Sequence, residues 1–376
     1  MHKKTILQVV PSLFSGGVER GTLDVAKALV DNDYRSLVVS SGGGLVANLT
    51  AGGSEHIKMK VASKNPVTIY RNYKTMVELI KEQEVDLIHA RSRAPAWSAY
   101  QASKTTGARF ITTFHGIYNF STPLKKLYNS VMVKGERVIA VSNFVKDHIL
   151  ENYNAVPENI RVIHRGVDYN HFDPSKATPE LLEKFKEKYN ICRNKPIILL
   201  PARMTNWKGH MTLIEALYLL KGEDFCCIIV GDLSKHPNFT ERVKRRIIEL
   251  KLQSRVQIFG PETDMMGLYN FADIVLSTSI EPEAFGRVVI EAQSMEKLVI
   301  ATNIGGAAET ITDELNGYHV TPGDSHDLAD KIRYCLTILG TTKGQKISSE
   351  ARRSVIEKFS LDLMMKKTLD VYKELI

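Results

Sequence analysis

The feature that most restricts this chain is an alternation that occurs in two series. Short apolar runs end at glycines or polar turns, and stretches of helical length follow them. Runs this short and this continuously apolar suit strands buried on both faces. Strands of that kind separated by helices give mostly parallel sheets covered on both sides. The first series predicts strands over 5–10, 35–40, 85–89, 110–114, 137–141 and 161–164. The second predicts strands over 196–201, 225–230, 256–259, 272–276, 298–302 and 317–321. Between them, 174–195 is charged and carries Pro179, and it reads as a linker holding a short helix. The expected class is α/β, and 376 residues suit two domains.

Composition narrows the function. The formal charge is +8, and residues 1–190 hold 26 Lys and Arg against 18 Asp and Glu, while the remainder is balanced at 24 against 24. The excess in the first half favours an anionic partner there: a membrane surface, a phosphorylated acceptor or nucleic acid. No apolar run reaches the length of a membrane span, and the opening residues are too short for a signal peptide. A cytosolic location is expected. Cys192, Cys226, Cys227 and Cys335 have no metal-ligand spacing, and a disulfide framework is not expected.

Candidate chemistry gathers at predicted strand ends, where open parallel sheets collect their ligands. Gly16 and Gly17 lie in the turn after the first strand and let the backbone approach a phosphate closely. The turn is not G-x-G-x-x-G, and no acidic residue ends the second strand. Residues 201–209 read P-A-R-M-T-N-W-K-G, so Arg203 and Lys208 share one strand-end loop. Two cations there can neutralise a diphosphate. Residues 277–293 read S-T-S-I-E-P-E-A-F-G-R-V-V-I-E-A-Q, with Glu283 in a loop and Glu291 eight residues on in a helix. Free amides at that helix start, near Phe285 and Gly286, suit an anion, and carboxylates beside them suit sugar hydroxyls. A surface Glu with ordinary capping is the plainer alternative. His115 closes another strand in T-T-F-H-G, and it can donate to a ligand or only hold a neighbouring loop. No Asp-x-Asp stands out at a strand end and no His/Cys/Asp cluster does elsewhere, so a required metal is not expected.

Glu283 and Glu291 around the Glu-Ala-Phe-Gly core, with Arg203 and Lys208 at their spacing, resemble the signature of the retaining glycosyltransferases of family 4. The resemblance covers nearly the whole chain. It implies the GT-B fold: two Rossmann-like domains with parallel sheets facing across a deep cleft. The implied boundaries are an acceptor-binding domain over 1–173, the linker 174–195, and a nucleotide-sugar domain over 196–358. A last helix over 359–376 would return to the first domain.

The same resemblance implies roles. Ser15 to Arg20 resembles the loop facing the donor diphosphate. Arg203 and Lys208 would hold the donor phosphates and stabilise the leaving group. Glu283 would hold donor-sugar hydroxyls and Glu291 the ribose. The amides of Phe285 and Gly286 would reach the sugar or phosphate. Gly231, Asp232 and Gly260 would shape the base and ribose pocket. His115 would orient the sugar near its reacting carbon. The carboxylates are not read as a hydrolase pair. The implied route is front-face attack, with the acceptor proton passing to a donor phosphate oxygen.

Residues 90–97, A-R-S-R-A-P-A-W, resemble a segment of bacterial lipopolysaccharide-core glycosyltransferases. That suggests a lipid A–Kdo acceptor, with Arg91, Arg93, Lys125 and Lys126 meeting its anionic groups. The same likeness, to lipopolysaccharide-core mannosyltransferases, puts mannose from GDP-mannose first as donor and a UDP-sugar next, with no separate cofactor. Residues 122–134 mix apolar side chains with three lysines, which suits either a core-facing helix or peripheral contact with the cytoplasmic face of an inner membrane. A monomer or weak dimer is expected. One departure is Arg165, where the family often has Asn. The alternatives are another glycolipid or capsule acceptor, a nucleotide-sugar epimerase and a phosphorylase, the last lacking its cofactor lysine. A nucleic-acid-binding module is the non-enzyme alternative. It would interleave basic and aromatic residues on one face, whereas here the basic residues sit at strand ends among glycines.

Overall fold

A computed structural model describes residues 3–14, 16–118, 120–190 and 195–376. Ser15 and Cys192 lie outside the described residues. Two compact units are present: residues 1–164 with 362–376, and residues 165–361.

The first unit holds seven strands: β1 Thr5–Val9, β2 Arg35–Ser40, β3 Glu55–Lys58, β4 Val85–Ala90, β5 Arg109–Phe114, β6 Arg137–Ala140 and β7 Ile160–Val162. They form one sheet in the order β3-β2-β1-β4-β5-β6-β7, every pair parallel. β3 is not visible as a strand in the sequence. Its four residues, E-H-I-K, carry no apolar run because it is an edge strand with only one neighbour.

The second unit holds β8 Ile197–Pro201, β9 Cys226–Val230, β10 Val256–Phe259, β11 Ile274–Ser277, β12 Leu298–Thr302 and β13 Tyr318–Val320. The order is β10-β9-β8-β11-β12-β13, again all parallel. Ile198, Leu200 and Leu276 pack in the core on one face. Ile197, Leu199 and Val275 pack in the core on the other. Burial on both faces is what the continuous apolar runs required.

In each sheet the connection reverses direction once, at β1 and β4 in the first and at β8 and β11 in the second. Crevices outside the carboxyl ends of strands at such reversals are where open α/β sheets bind ligands.

The stretch 174–195 departs from the expected linker. Its helix Pro179–Tyr189 belongs to the second unit, and Phe185 and Tyr189 are fully buried in that unit's core. Leu181, Phe185 and Tyr189 recur every four residues, which makes one apolar face. Phe185 closes against Gly267, where a Cβ would come within 2.4 Å of its ring. Lys188 and the Tyr189 hydroxyl both bond the Glu262 carboxylate, at 2.5 and 2.9 Å.

The last helix, Leu361–Lys373, falls with the first unit from Asp362 onward. There Tyr372 reaches His89 at 2.7 Å, and the Glu374 carboxylate accepts from Arg137 and Arg161 at 2.6 and 2.8 Å. No described helix is long and apolar enough to cross a membrane.

Candidate active site

At the carboxyl end of β8 the backbone continues the ladder to Ala202, then forms a 3-10 turn over Asn206–Lys208. Gly209 ends that turn with φ +72° and begins the helix His210–Leu219. The left-handed backbone favours glycine, and packing demands it, since a Cβ there would stand 1.8 Å from the Thr278 carbonyl oxygen. The loops after β8 and β11 therefore touch. Thr278 Oγ1 donates to the Lys208 carbonyl at 3.0 Å, and the Ile280 amide donates to the Trp207 carbonyl at 2.7 Å.

The loop after β12 is joined to the same assembly. Thr302 Oγ1 donates to the Ser279 carbonyl at 2.8 Å, and the Gly306 amide donates to the Glu283 carbonyl at 2.7 Å. Gly305, at φ +67°, lies so close to the Glu283 backbone that a Cβ would overlap its carbonyl oxygen at 2.6 Å.

These contacts bring Lys208 and Glu283 together. Lys208 Nζ lies 2.6 Å from Glu283 Oε1, with the two side chains only 13% and 16% exposed. Ser279 Oγ also donates to Glu283 Oε1. Burial lowers the Lys208 pKa; Glu283 works against that shift and Arg203 adds to it. The Arg203 guanidinium is exposed, 5.5 Å from the Trp207 ring centroid, and Lys208 Nζ is 4.3 Å from the same centroid. Trp207 thus organises both cations. Its place in the sequence between them was visible; its role was not.

Glu291 has different partners. It sits in the helix Arg287–Ser294, whose N-terminal neighbour Gly286 has φ +82°. Tyr269 donates to Glu291 Oε2 at 3.0 Å and Arg287 to Oε1 at 2.8 Å. Burial, then the Glu291 charge, drives the Tyr269 hydroxyl well above its usual pKa, so it stays a donor. Neither Tyr269 nor Arg287 was picked out from the sequence, because their pairing with Glu291 depends on how helices pack. The Phe285 side chain is 3% exposed and meets Phe359 edge-on, leaving only its backbone for a ligand. Gly260 follows β10, exposed and with open space around its Cα.

In the first unit, Gly16 caps the helix Gly17–Asp31 at φ +142° after β1. His115 follows β5 directly and is half-buried. Arg91 does not suit the surface role expected of it. It is 3% exposed, and its guanidinium bonds Gln8 Oε1 at 3.2 Å. Its place right after buried β4 turns it inward. Arg93, two residues on, bonds Asn129 Oδ1 at 2.9 Å and covers the Tyr118 ring at 4.2 Å. Arg93 and Lys125 line one cavity, while Lys126 instead lies over the Phe120 ring at 5.7 Å. Among the described residues no three His, Cys, Asp or Glu side chains are grouped to hold a metal.

Comparison with known proteins gives this geometry a family. Residues 15–171 match the model for Glycosyltransferase Family 4, and residues 182–353 match that for Glycosyl transferases group 1. The chain is similar to the crystal structure of a glycosyltransferase from Rickettsia africae ESF-5, with 56% identity and a TM-score of 0.94, covering 100% of this chain and 99% of that one. It is similar to Anabaena Alr3699/HepE in complex with UDP-glucose, with 25% identity and a TM-score of 0.83 over 99% and 100% of the two chains. It is also 24% identical over 376 residues to the phosphatidylinositol N-acetylglucosaminyltransferase GPI3 subunit of Saccharomyces cerevisiae strain YJM789, covering 95% of this chain and 79% of that protein. With two matched models spanning most of its length and a glycosyltransferase more than half identical along all of it, this chain belongs to the glycosyltransferases of the family 4, GT-B type.

Proposed function

We propose that the chain transfers a hexose from a nucleoside diphosphate sugar to an anionic, lipid-linked saccharide, with retention of anomeric configuration. The supporting observation is the Lys208–Glu283 pair at 2.6 Å, set beside Arg203 around Trp207. A diphosphate draws on Arg203 and Lys208, and it frees the Glu283 carboxylate to take sugar hydroxyls. Glu291 is assigned the ribose, in exchange for or alongside its bond from Arg287. His115 keeps its expected part in orientation and charge stabilisation.

The bond from the anomeric carbon to the diphosphate oxygen breaks while the acceptor oxygen attacks from the same face. The acceptor proton goes to a phosphate oxygen of the departing diphosphate. Protein groups then contribute position and electrostatic stabilisation.

Of the two donors expected from the sequence, a UDP-hexose is favoured by the likeness to a protein solved with UDP-glucose. GDP-mannose and a lipid A–Kdo core acceptor form the second reading, supported by the resemblance of residues 90–97. The peripheral membrane location rests on exposed Leu124 and Leu127 beside Lys125 and Lys126.

A panel of UDP- and GDP-sugars, read by thermal stabilisation and slow donor hydrolysis, tests the proposal. Stabilisation by one donor class is the expected result, and none from any nucleotide sugar would overturn it. Lipid A–Kdo supplied with the preferred donor then tests the acceptor. Turnover is expected to persist in EDTA, because Arg203 and Lys208 supply the positive charge; loss of turnover restored by a divalent ion would contradict that role.

A further inference from the structure

The first unit contains a cavity of about 580 Å³ whose wall includes Lys64, Ser92, Arg93, Lys125, Tyr128 and Asn129. Three of its lining residues are cations, and no carboxylate lines it. Among the described residues, no carboxylate is found bridging Lys64, Arg93 or Lys125. The Arg93 guanidinium is held in place by Asn129 Oδ1 at 2.9 Å and by the Tyr118 ring at 4.2 Å. Lys125 Nζ donates to Ser121 Oγ at 3.0 Å and has donors to spare.

A second observation is independent of charge. The Tyr128 hydroxyl is buried and has no hydrogen-bond partner. A buried hydroxyl in that state is unfavourable, and a ligand oxygen that accepts from it removes the defect. The helix Arg93–Thr106 also starts at this wall, without a side-chain cap and without an acidic residue in its first turn. Its free amides add to the positive potential.

We propose that this cavity binds a phosphomonoester carried by the acceptor, with Lys64, Arg93 and Lys125 around the phosphate and Tyr128 donating to one of its oxygens. A carboxylate is satisfied by a single guanidinium, whereas a phosphate dianion matches three cations and a further donor. Leu124, 78% exposed at the cavity, offers an apolar surface to the carbon face of an attached sugar. Lys64 and Tyr128 thereby become acceptor-specificity residues. Calling the bound molecule an acceptor rests on the glycosyl-transfer reading; the anion site itself does not.

The test is equilibrium binding to the full chain. Inorganic phosphate and glucose 6-phosphate should bind, and glucose should not. K64Q/K125Q, which alters only exposed side chains, should weaken glucose 6-phosphate binding at least about tenfold. Y128F should weaken it by less, and adding R93Q should abolish it. Lys104→Gln, elsewhere on the same unit, should leave it unchanged. Vesicles of phosphatidylcholine doped with phosphatidic acid separate a lipid-borne phosphate from a soluble one: competition between vesicles and glucose 6-phosphate places both in this cavity. Undetectable phosphate binding would overturn the proposal, as would equal binding by the wild type and K64Q/K125Q with circular dichroism unchanged. UDP-glucose and GDP-mannose binding, measured separately on the wild type, reports on the glycosyl-transfer reading. Their failure would sink that reading and leave the phosphate result standing.

Discussion

The two units share a sheet plan but treat charge at their strand ends differently. In the second, loops after β8, β11 and β12 are tied together by four hydrogen bonds, and Lys208 and Glu283 meet with little solvent. In the first, the strand-end Arg91 is withdrawn into the interior, and the cations that remain available line an open cavity. A site whose charges are fixed by its own backbone suits a ligand portion that does not vary, such as a nucleoside diphosphate. Lysines left exposed to solvent, as Lys64 and Lys125 are, suit a portion that differs from enzyme to enzyme. The contrast agrees with the match of the second half to one family model and the first half to another.

The sharpest way to break the comparison is at the buried pair. On the proposed assignment of Glu283 to the sugar, Glu283→Gln should lower turnover roughly 10²–10³-fold with the fold retained, since it removes the charge and leaves the shape. Steady-state transfer assays with circular dichroism check this, and near-wild-type turnover would sink the assignment. Next in size is backbone fit. Gly209→Ala must move Thr278 and should cost roughly 3 kcal/mol with loss of UDP binding. Gly107→Ala, at a similar φ of +82° but with nothing within 4 Å, should cost only about 1 kcal/mol. Comparable melting curves for the two would show that the loop contact is looser than described.

The third prediction concerns the first unit's interior. His89 is fully buried between the Tyr372 and Thr113 hydroxyls, both at 2.7 Å. Burial, and then Arg91, hold its pKa well below 6.5. The unfolded chain takes up a proton below that value while the folded one does not. Stability should therefore fall on acidification from about pH 6.5 by about 1.4 kcal/mol per unit from this group. His89→Gln should remove that increment in urea titrations across pH; an unchanged slope would contradict a neutral His89. His210 in the second unit, lowered to about 4 chiefly by burial, adds the same sign down to that pH. The smallest effect is alkaline. Lys208 loses its charge at lower pH than a solvated lysine of 10.5. UDP affinity should therefore begin to weaken before the pH reaches 10.5, and Lys208→Arg should push that decline to higher pH.

Much of the fold was legible in the chain. Strands β2, β10 and β12 fall on the expected residues, because each apolar run is bounded by turn residues. Helix Met265–Phe271 and β3 were not anticipated; the first is seven residues long and the second is a polar edge. The expected linker is instead part of the second unit, because its charged residues surround a four-residue recurrence of Leu181, Phe185 and Tyr189 that packs into that unit's core. At the site, Arg203, Lys208 and Glu283 stood out as residue types in suggestive loops, and Glu291 in the helix that follows one of them. What sequence spacing does not hold is which loop meets which. Lys208 and Glu283 lie 75 positions apart, and their contact is made by Thr278 fitting where Gly209 has no side chain. The inward turn of Arg91 is likewise a property of packing against Gln8, far away in the chain.

The return of the last helix bears on the order of assembly. Residues 165–361 form a continuous segment, so the second unit has all its parts once Leu361 has been translated. The first unit, begun earlier, must wait for residues 362–376 to supply the Tyr372 hydroxyl to His89 and the Glu374 carboxylate to Arg137 and Arg161. The half made first is the half finished last, and a nascent chain holds an amino-terminal unit with all seven strands but without its closing helix for the whole time that its neighbour is being synthesised.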